Sequence, residues 1–482
     1  MVRGTAYLMI AEAMFVVSGW VIHVGSKRIL GLADYGTFGI LLSLLTLYRI
    51  FLASGVNRAV SRYISREPEL ARSIRRQALK LQITIGAVLC LAIWLAAPGL
   101  SRIWRNDAFT GYIRLTGFFL PIFGAYAVYR GTLNGYTLFG QEARVSIIYS
   151  LSKIAFVFLL IFLFGYWGGE RLYGAVTGYL AAIAAAVILA RAACPPGELI
   201  PGRVFPIREI VRFAFPVVLF SFIISLIQHL DLYFVRARAG DGVELAAGWY
   251  TCAQQFARIP YMLLYALSLT LFPNIAASTA APGGEEITAG MIRQALRGGI
   301  FLVLPMAALI GGAAAPLVGW VYGADSVEAG GALQILIFGQ TLLALLMVLT
   351  TIITAQGRPW LAFLLVTATL LLDAVLNYFL IPVYGIRGAA LATTIAAGVG
   401  MAGAGVVVCR RFHALFPPLP TVKIALAAAL LFLLARWWSP SGWMILPAFI
   451  LLSALYLLLL LAARESDRSD LNMLQLIFSS KK

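Results

Sequence analysis

Cysteine and histidine are scarce, with four and three copies in 482 residues. Cys90, Cys194, Cys252 and Cys409 fall singly, with no CxxC pair and no framework spacing. That excludes a disulfide-stapled scaffold and a zinc ribbon. The three histidines offer no ligand spacing, so no metal site is expected. Charge is scarce too, at 12% of residues, where soluble domains carry about 25%. Acidic residues are the rarer sign, 20 against 37 Lys plus Arg. No nucleophile elbow, P-loop, paired catalytic carboxylates or oxidoreductase motif is present, and the Gly-rich stretches lie in apolar runs, not after strands. The sequence therefore predicts neither an enzyme nor a cofactor.

What fills the chain is apolar sequence, 61% of residues with a mean hydropathy of +0.90. No soluble domain has enough polar surface to cover such a core, so the bilayer is the expected solvent. Runs of about 20 apolar residues fit a hydrocarbon core roughly 30 Å thick. They are expected near 5–25, 36–57, 81–99, 112–134, 144–165, 172–192, 213–235, 246–272, 298–321, 330–354, 359–382, 388–409, 421–437 and 442–463. The reading is an all-α polytopic membrane protein of about 14 transmembrane helices, with both termini on one side. Glu12 sits inside the first run after a single Arg, which points to a retained helix, not a cleaved signal peptide.

Basic residues collect in alternate loops. Arg58, Arg62, Arg66, Arg72, Arg75, Arg76 and Lys80 crowd the second; Arg191, Arg203, Arg208 and Arg212 the sixth. Arg410, Arg411 and Lys423 sit in the twelfth, and Arg464, Arg468, Lys481 and Lys482 in the tail. Even loops plus termini hold roughly 24 Lys/Arg, against roughly 10 in odd loops. This asymmetry places both termini in the cytoplasm. A nucleic-acid partner, the other reading of a +17 balance, needs a contiguous basic face on a folded domain and is not expected.

The sixth loop carries Pro195, Pro196, Pro201 and Pro206 and is the expected linker, stiff and extended. It separates two groups of six spans, and the letters repeat across it. Span five follows Gly140-Gln141, carries Lys153 and ends at Gly165 before Tyr173-Gly174-Ala175. Span eleven follows Gln356-Gly357, carries Asp373 and ends at Gly385 before Arg387-Gly388-Ala389-Ala390. The charge lies 12 residues before the closing glycine in both. Two pseudo-symmetric lobes related about the membrane normal are expected, facing one another across a cleft. The expected division is 1–193 for the N-lobe, 194–210 for the linker, 211–412 for the C-lobe, and 413–482 for two further helices and a cytoplasmic tail.

Charges inside hydrocarbon cost several kcal/mol unless paired or watered, so they mark candidate sites. Arg49, Arg130, Lys153 and Arg258 would line a cationic, watered cleft for an anionic substrate such as a pyrophosphate; arginine keeps its charge and donates in pairs to phosphate oxygens. The competing reading is intramembrane ion pairing or snorkelling. Glu12, Asp231, His229 and Asp373 are candidates for proton or Na+ coupling or for gating, since burial holds a carboxylate in a titrating range. Lys153 and Asp373, opposite in charge at matching repeat positions, could close and open a gate. Glu12 has a structural alternative as the partner of Arg49. Pro216, Pro260, Pro273 and Pro305 can kink second-lobe helices, and Pro260 beside Arg258 is a candidate bend. The Gly311-Gly312-Ala313-Ala314-Ala315 run and the Gly398–Gly405 stretch suit close helix approach. Trp437, Trp438 and Trp443 suit an aromatic belt.

Several short segments resemble polysaccharide-export flippases. They are Arg28-Ile29-Leu30-Gly31-Leu32-Ala33-Asp34-Tyr35-Gly36, Gly55-Val56-Asn57-Arg58 through Arg62-Tyr63-Ile64, Ala355-Gln356-Gly357-Arg358, and Ile381-Pro382-Val383-Tyr384-Gly385-Ile386-Arg387-Gly388-Ala389-Ala390-Leu391-Ala392-Thr393. By their order and spacing the whole chain resembles the multidrug/oligosaccharidyl-lipid/polysaccharide (MOP) flippase superfamily. That resemblance implies two six-helix lobes forming a V-shaped central cleft, and outward transfer of an undecaprenyl-pyrophosphate-linked oligosaccharide across the bacterial inner membrane. It also implies a monomer whose partners are the glycan lipid and the bilayer. Arg49 and Arg258 resemble cleft arginines of the murein-precursor branch. The basic cluster that branch carries in span one is absent and Glu12 stands there, which favours an O-antigen, capsule or exopolysaccharide unit. A multidrug/cation antiporter is the alternative transporter. A glycosyltransferase or polymerase would need a long external loop with catalytic acids, and the odd loops supply only Asp107, Asp241 and Glu244.

Overall fold

The computed structural model describes residues 2–197, 204–240, 242–280, 284–413 and 418–462, and every regular element among them is helical. Arg203, Pro201, Asp241 and the tail with Arg464, Arg468, Lys481 and Lys482 lie outside the described residues. Packing divides the chain into two units, Met1–His229 and Leu230–Lys482.

The first unit contains α1 (Val2–Leu30), α2 (Leu32–Arg66), α3 (Ala71–Ile103), α4 (Phe109–Gly117), α5 (Phe119–Gly135), α6 (Phe139–Tyr166), α7 (Arg171–Ala193) and α8 (Ile207–Ile227). In hydrocarbon every backbone polar group must be satisfied within its own segment, which is why long apolar runs become helices. α4 and α5 together make the expected fourth span. They part at Phe118, where Pro121 cannot donate its missing N–H back to Gly117. α8 packs on α2: Gly55 abuts the backbone of Ala214, and Phe51 and Phe222 meet edge to face with centroids 5.8 Å apart. Both flanks of the linker are tied to the start of α3. Arg75 donates to the carbonyls of Pro195 and Pro196, each at 2.7 Å, and the Phe205 N–H donates to Ser73 Oγ at 2.9 Å.

The second unit contains α9 (Leu230–Arg238), α10 (Val243–Ala257), α11 (Ile259–Ala280), α12 (Gly284–Gly312), α13 (Ala314–Tyr322), α14 (Ala329–Ala355), α15 (Pro359–Phe412), α16 (Pro418–Trp438) and α17 (Ile445–Ala462). Besides the fourth, three of the expected spans are interrupted. The seventh breaks between α8 and α9, the eighth at Arg258 just before Pro260, and the ninth at Ala313. α15 holds the eleventh and twelfth spans, joined at Gly385 with φ 58° and ψ −136°, a conformation open to glycine and costly for other residues. Twelve described helices are long and apolar enough to cross a bilayer. α15 counts once among them, and the α10–α11 pair falls outside them, so all fourteen expected segments are helical. The chain is a multi-pass, all-α membrane protein.

The repeat read from the letters has a packing counterpart. Gly174 of α7 sits so close to the Leu160 carbonyl of α6 that a Cβ would collide with it. Gly388 sits in the same way on Leu380 in the two arms of α15. Leu160 is seven residues after Lys153, and Leu380 seven after Asp373. Small residues also serve where expected: Gly312 lies against the Phe432 carbonyl of α16, and Gly400 against Thr369. Trp437 and Trp443 are exposed, and Trp443 meets Trp320 edge to face.

Candidate functional site

Each unit encloses its own polar cluster. In the first, α2 and α6 present cations to aromatic rings from α1, α5, α6 and α7. Lys153 is 3% exposed, yet its Nζ has no carboxylate within 4.0 Å among the described residues. It lies 4.2 Å from the Phe15 ring centre, 5.8 Å from Tyr149 and 5.9 Å from Tyr179. Arg49 places its guanidinium 4.9 Å from the centre of the same Phe15 ring, and it too lacks a carboxylate among the described residues. Rings offer a negative face to a nearby cation.

Arg130 differs. Its Nη2 lies 2.8 Å from Glu142 Oε1 and its Nε 3.1 Å from the same oxygen, with Glu142 1% exposed. Arg130 is thereby engaged in an ion pair within the first unit. Glu12 is exposed on α1, within electrostatic reach of Arg130, and makes no ion pair with Arg49.

The second unit reverses the sign. Asp231 on α9 is fully buried; it accepts from the Tyr250 hydroxyl at 2.5 Å, from Gln254 Nε2 at 2.8 Å and from the Leu232 N–H at 2.8 Å. Thr393 Oγ1 approaches at 3.5 Å. Asp373 on α15 is also fully buried; Asn377 Nδ2 donates to its Oδ1 at 3.0 Å, and Asp231 lies within electrostatic reach. Two carboxylates enclosed together with hydroxyls and amides form a site for a proton or a small cation. Arg258, at the α10–α11 break, donates to Gln254 Oε1 at 3.3 Å. One amide thus touches both a carboxylate and a cation.

His229, 3% exposed, is the last residue of the first unit, and its backbone N–H donates to the Leu226 carbonyl at 3.0 Å. Lys153 and Asp373 each sit in the cluster of their own unit. Phe15, Tyr149, Tyr179, Glu142, Tyr250, Gln254, Asn377 and Thr393 complete the two clusters beyond the residues that stand out in the sequence. Helical spacing would have found two of them, since Asn377 follows Asp373 by four and Gln254 precedes Arg258 by four. The rest come together only in the fold.

A family model described as "Polysaccharide biosynthesis protein" matches residues 1–278. An uncharacterized membrane protein of Methanocaldococcus jannaschii is 22% identical over 428 residues, covering 81% of this chain and 80% of that one. The lipid II flippase MurJ of Bacillus subtilis is 22% identical over 437 residues, covering 82% and 80%. Among solved structures, a lipid II flippase MurJ in an inward closed conformation superposes with a TM-score of 0.76, at 14% identity, covering 96% of this chain and 99% of that one. An inward-facing multidrug resistance MATE family transporter of the MOP superfamily gives 0.67 at 15% identity, covering 84% and 98%. At these identities the structural likeness establishes the fold.

Proposed function

The chain belongs to the polysaccharide biosynthesis protein family, and on that premise we propose that it is a flippase. Its substrate is an undecaprenyl-pyrophosphate-linked oligosaccharide, an O-antigen, capsule or exopolysaccharide repeat unit, carried from the cytoplasmic to the outer leaflet by alternating access. The observation that carries this reading is the pair of unneutralised cations, Arg49 and Lys153, held against Phe15 inside a membrane unit. Cations kept in a low-dielectric site without counter-charge suit a ligand that brings its own negative charge, and a pyrophosphate does. Aromatic faces beside them suit sugar rings. Arg258 and Arg130 are assigned to substrate binding as well, Arg130 being paired with Glu142.

Alternating access is driven by the membrane potential or a cation gradient. Asp231 and Asp373 are assigned the coupling ion, H+ or Na+, with Gln254 passing its occupancy to Arg258. Glu12, exposed on α1, is assigned an accessory coupling role, and His229, beside the junction of the units, one in gating. The working protein is a monomer in the bacterial cytoplasmic membrane with both termini inside.

One second reading has its own support. The Bacillus relative is named a lipid II flippase, so the murein precursor is the competing substrate. A multidrug/cation antiporter is disfavoured by the free Arg49 and Lys153, which repel cationic cargo. The test is translocation in proteoliposomes of a fluorescent undecaprenyl-pyrophosphate oligosaccharide, a lipid II analogue and a cationic dye. Movement of the first supports the proposal, movement of lipid II alone transfers it to the murein branch, and movement of the dye alone refutes it.

A further inference from the structure

The second unit has a cavity of about 430 Å3 where α11 ends, α14 turns into α15, and α15 finishes. Thr279, Gln356, Arg358 and Arg411 supply its polar lining, Glu285 one negative charge and Phe412 an apolar wall. Arg411 pairs with Glu285 at 2.8 Å, but both side chains are more than half exposed, so water weakens the pair. Arg358 has no carboxylate within 4.0 Å among the described residues. Gln356 Nε2 is buried with no acceptor there either. The turn at Gly357, φ 83°, leads into α15, which no side chain caps; Pro359 has no N–H there, and the Leu361 and Ala362 amides donate to the Arg358 carbonyl. Two guanidiniums and an unused amide donor thus converge on a space with one carboxylate, while the Thr279 hydroxyl donates to the Ile275 carbonyl at 2.7 Å.

We propose that this cavity binds a phosphate group, held by Arg358 and Arg411 and by the Gln356 amide. Phosphate fits because it accepts from several directions at once, and a planar guanidinium meets two of its oxygens. A cavity of this volume is within the range of ligand pockets, about 300–1,000 Å3, and has room for a polar group attached to the phosphate. The loops around it are even-numbered, the side the charge asymmetry assigns to the cytoplasm. The phosphate is therefore that of an anionic lipid headgroup at this face or of a soluble phosphate compound. Neither Arg49, Arg258 nor the two aspartates take part, so the proposal stands apart from the transport reading.

The test uses the full chain in nanodiscs. One arm compares phosphatidylglycerol with phosphatidylcholine and counts retained lipid by native mass spectrometry. The other titrates inorganic phosphate in phosphatidylcholine nanodiscs by calorimetry. The expected result is binding in at least one arm that weakens about tenfold or more in Arg358→Gln, the size of a lost charge-assisted hydrogen bond. Glu285→Gln should tighten it by freeing Arg411, a gain that misfolding cannot produce, while Arg410→Gln leaves it unchanged. Retention of phosphatidylglycerol alone identifies a lipid headgroup, and phosphate binding alone a soluble compound. No binding in either arm, or binding unaltered by Arg358→Gln and Glu285→Gln, overturns the proposal.

Discussion

Gln254 donates its amide nitrogen to Asp231 across 2.8 Å while its amide oxygen receives Arg258 at 3.3 Å. The proposed ion-coupling carboxylate and the proposed substrate cation thereby share one planar group. Gln254→Leu cuts this link and leaves the Asp231 carboxylate short of a donor. The expected stability loss is about 1–3 kcal/mol. The expected drop in ion stimulation of flipping is about tenfold, within the usual range of coupling energies. Flipping rates measured with and without an imposed ion gradient check it; undiminished stimulation in Gln254→Leu counts against the link.

Arg49 and Arg130 should respond oppositely to removal of charge. Glu142→Gln strips Arg130 of a buried partner and is expected to cost about 1–3 kcal/mol, with Arg130's partial exposure softening the loss. Arg49→Gln removes a cation that no carboxylate balances, so stability should hold while transport falls. Thermal unfolding in detergent, run beside the flipping assay, separates the two.

Lys153 is a buried charge without a counter-ion, a costly arrangement to keep for stability alone. Lys153→Met should therefore leave the unfolding temperature unchanged or raised, and flipping should fall about tenfold or more. Phe15→Leu removes the ring shared by Lys153 and Arg49. It is expected to cost about 0.5–2 kcal/mol of cation–ring interaction, read as weaker substrate binding.

The close approaches of the repeat are open to test as well. A methyl at Gly388 or Gly174 meets a backbone carbonyl that cannot step aside. Gly388→Ala and Gly174→Ala are each expected to destabilise their unit by about 1–3 kcal/mol, the usual penalty for overpacking. Gly385→Ala, at φ 58°, should cost about 1–2 kcal/mol of backbone strain. Similar losses at Gly174 and Gly388 would support the equivalence; loss at only one would argue against it.

Fourteen helical segments were legible because hydropathy over 20 residues reports directly on the bilayer. The breaks at Phe118, Ala313 and Gln228 were not. A hydropathy window runs straight across a joint that costs two hydrogen bonds. The ionisable side chains stood out in apolar runs, so Arg49, Lys153, Asp231, Arg258 and Asp373 could be named from the letters. Their surroundings could not. Phe15 and Tyr179 look like any other membrane aromatics until α1 and α7 pack on α6, and Glu142 gave no sign that it would take Arg130.

The central claim is that Arg49 and Arg258 engage the charged head of a lipid-linked oligosaccharide. The direct measurement is translocation of fluorescent undecaprenyl-pyrophosphate oligosaccharide in proteoliposomes by wild type, Arg49→Ala and Arg258→Ala, with folding verified by thermal unfolding. The account predicts rapid flipping by wild type and collapse in both variants. Wild-type flipping that survives both substitutions would contradict the site, and a wild type that moves no lipid-linked sugar would contradict the function.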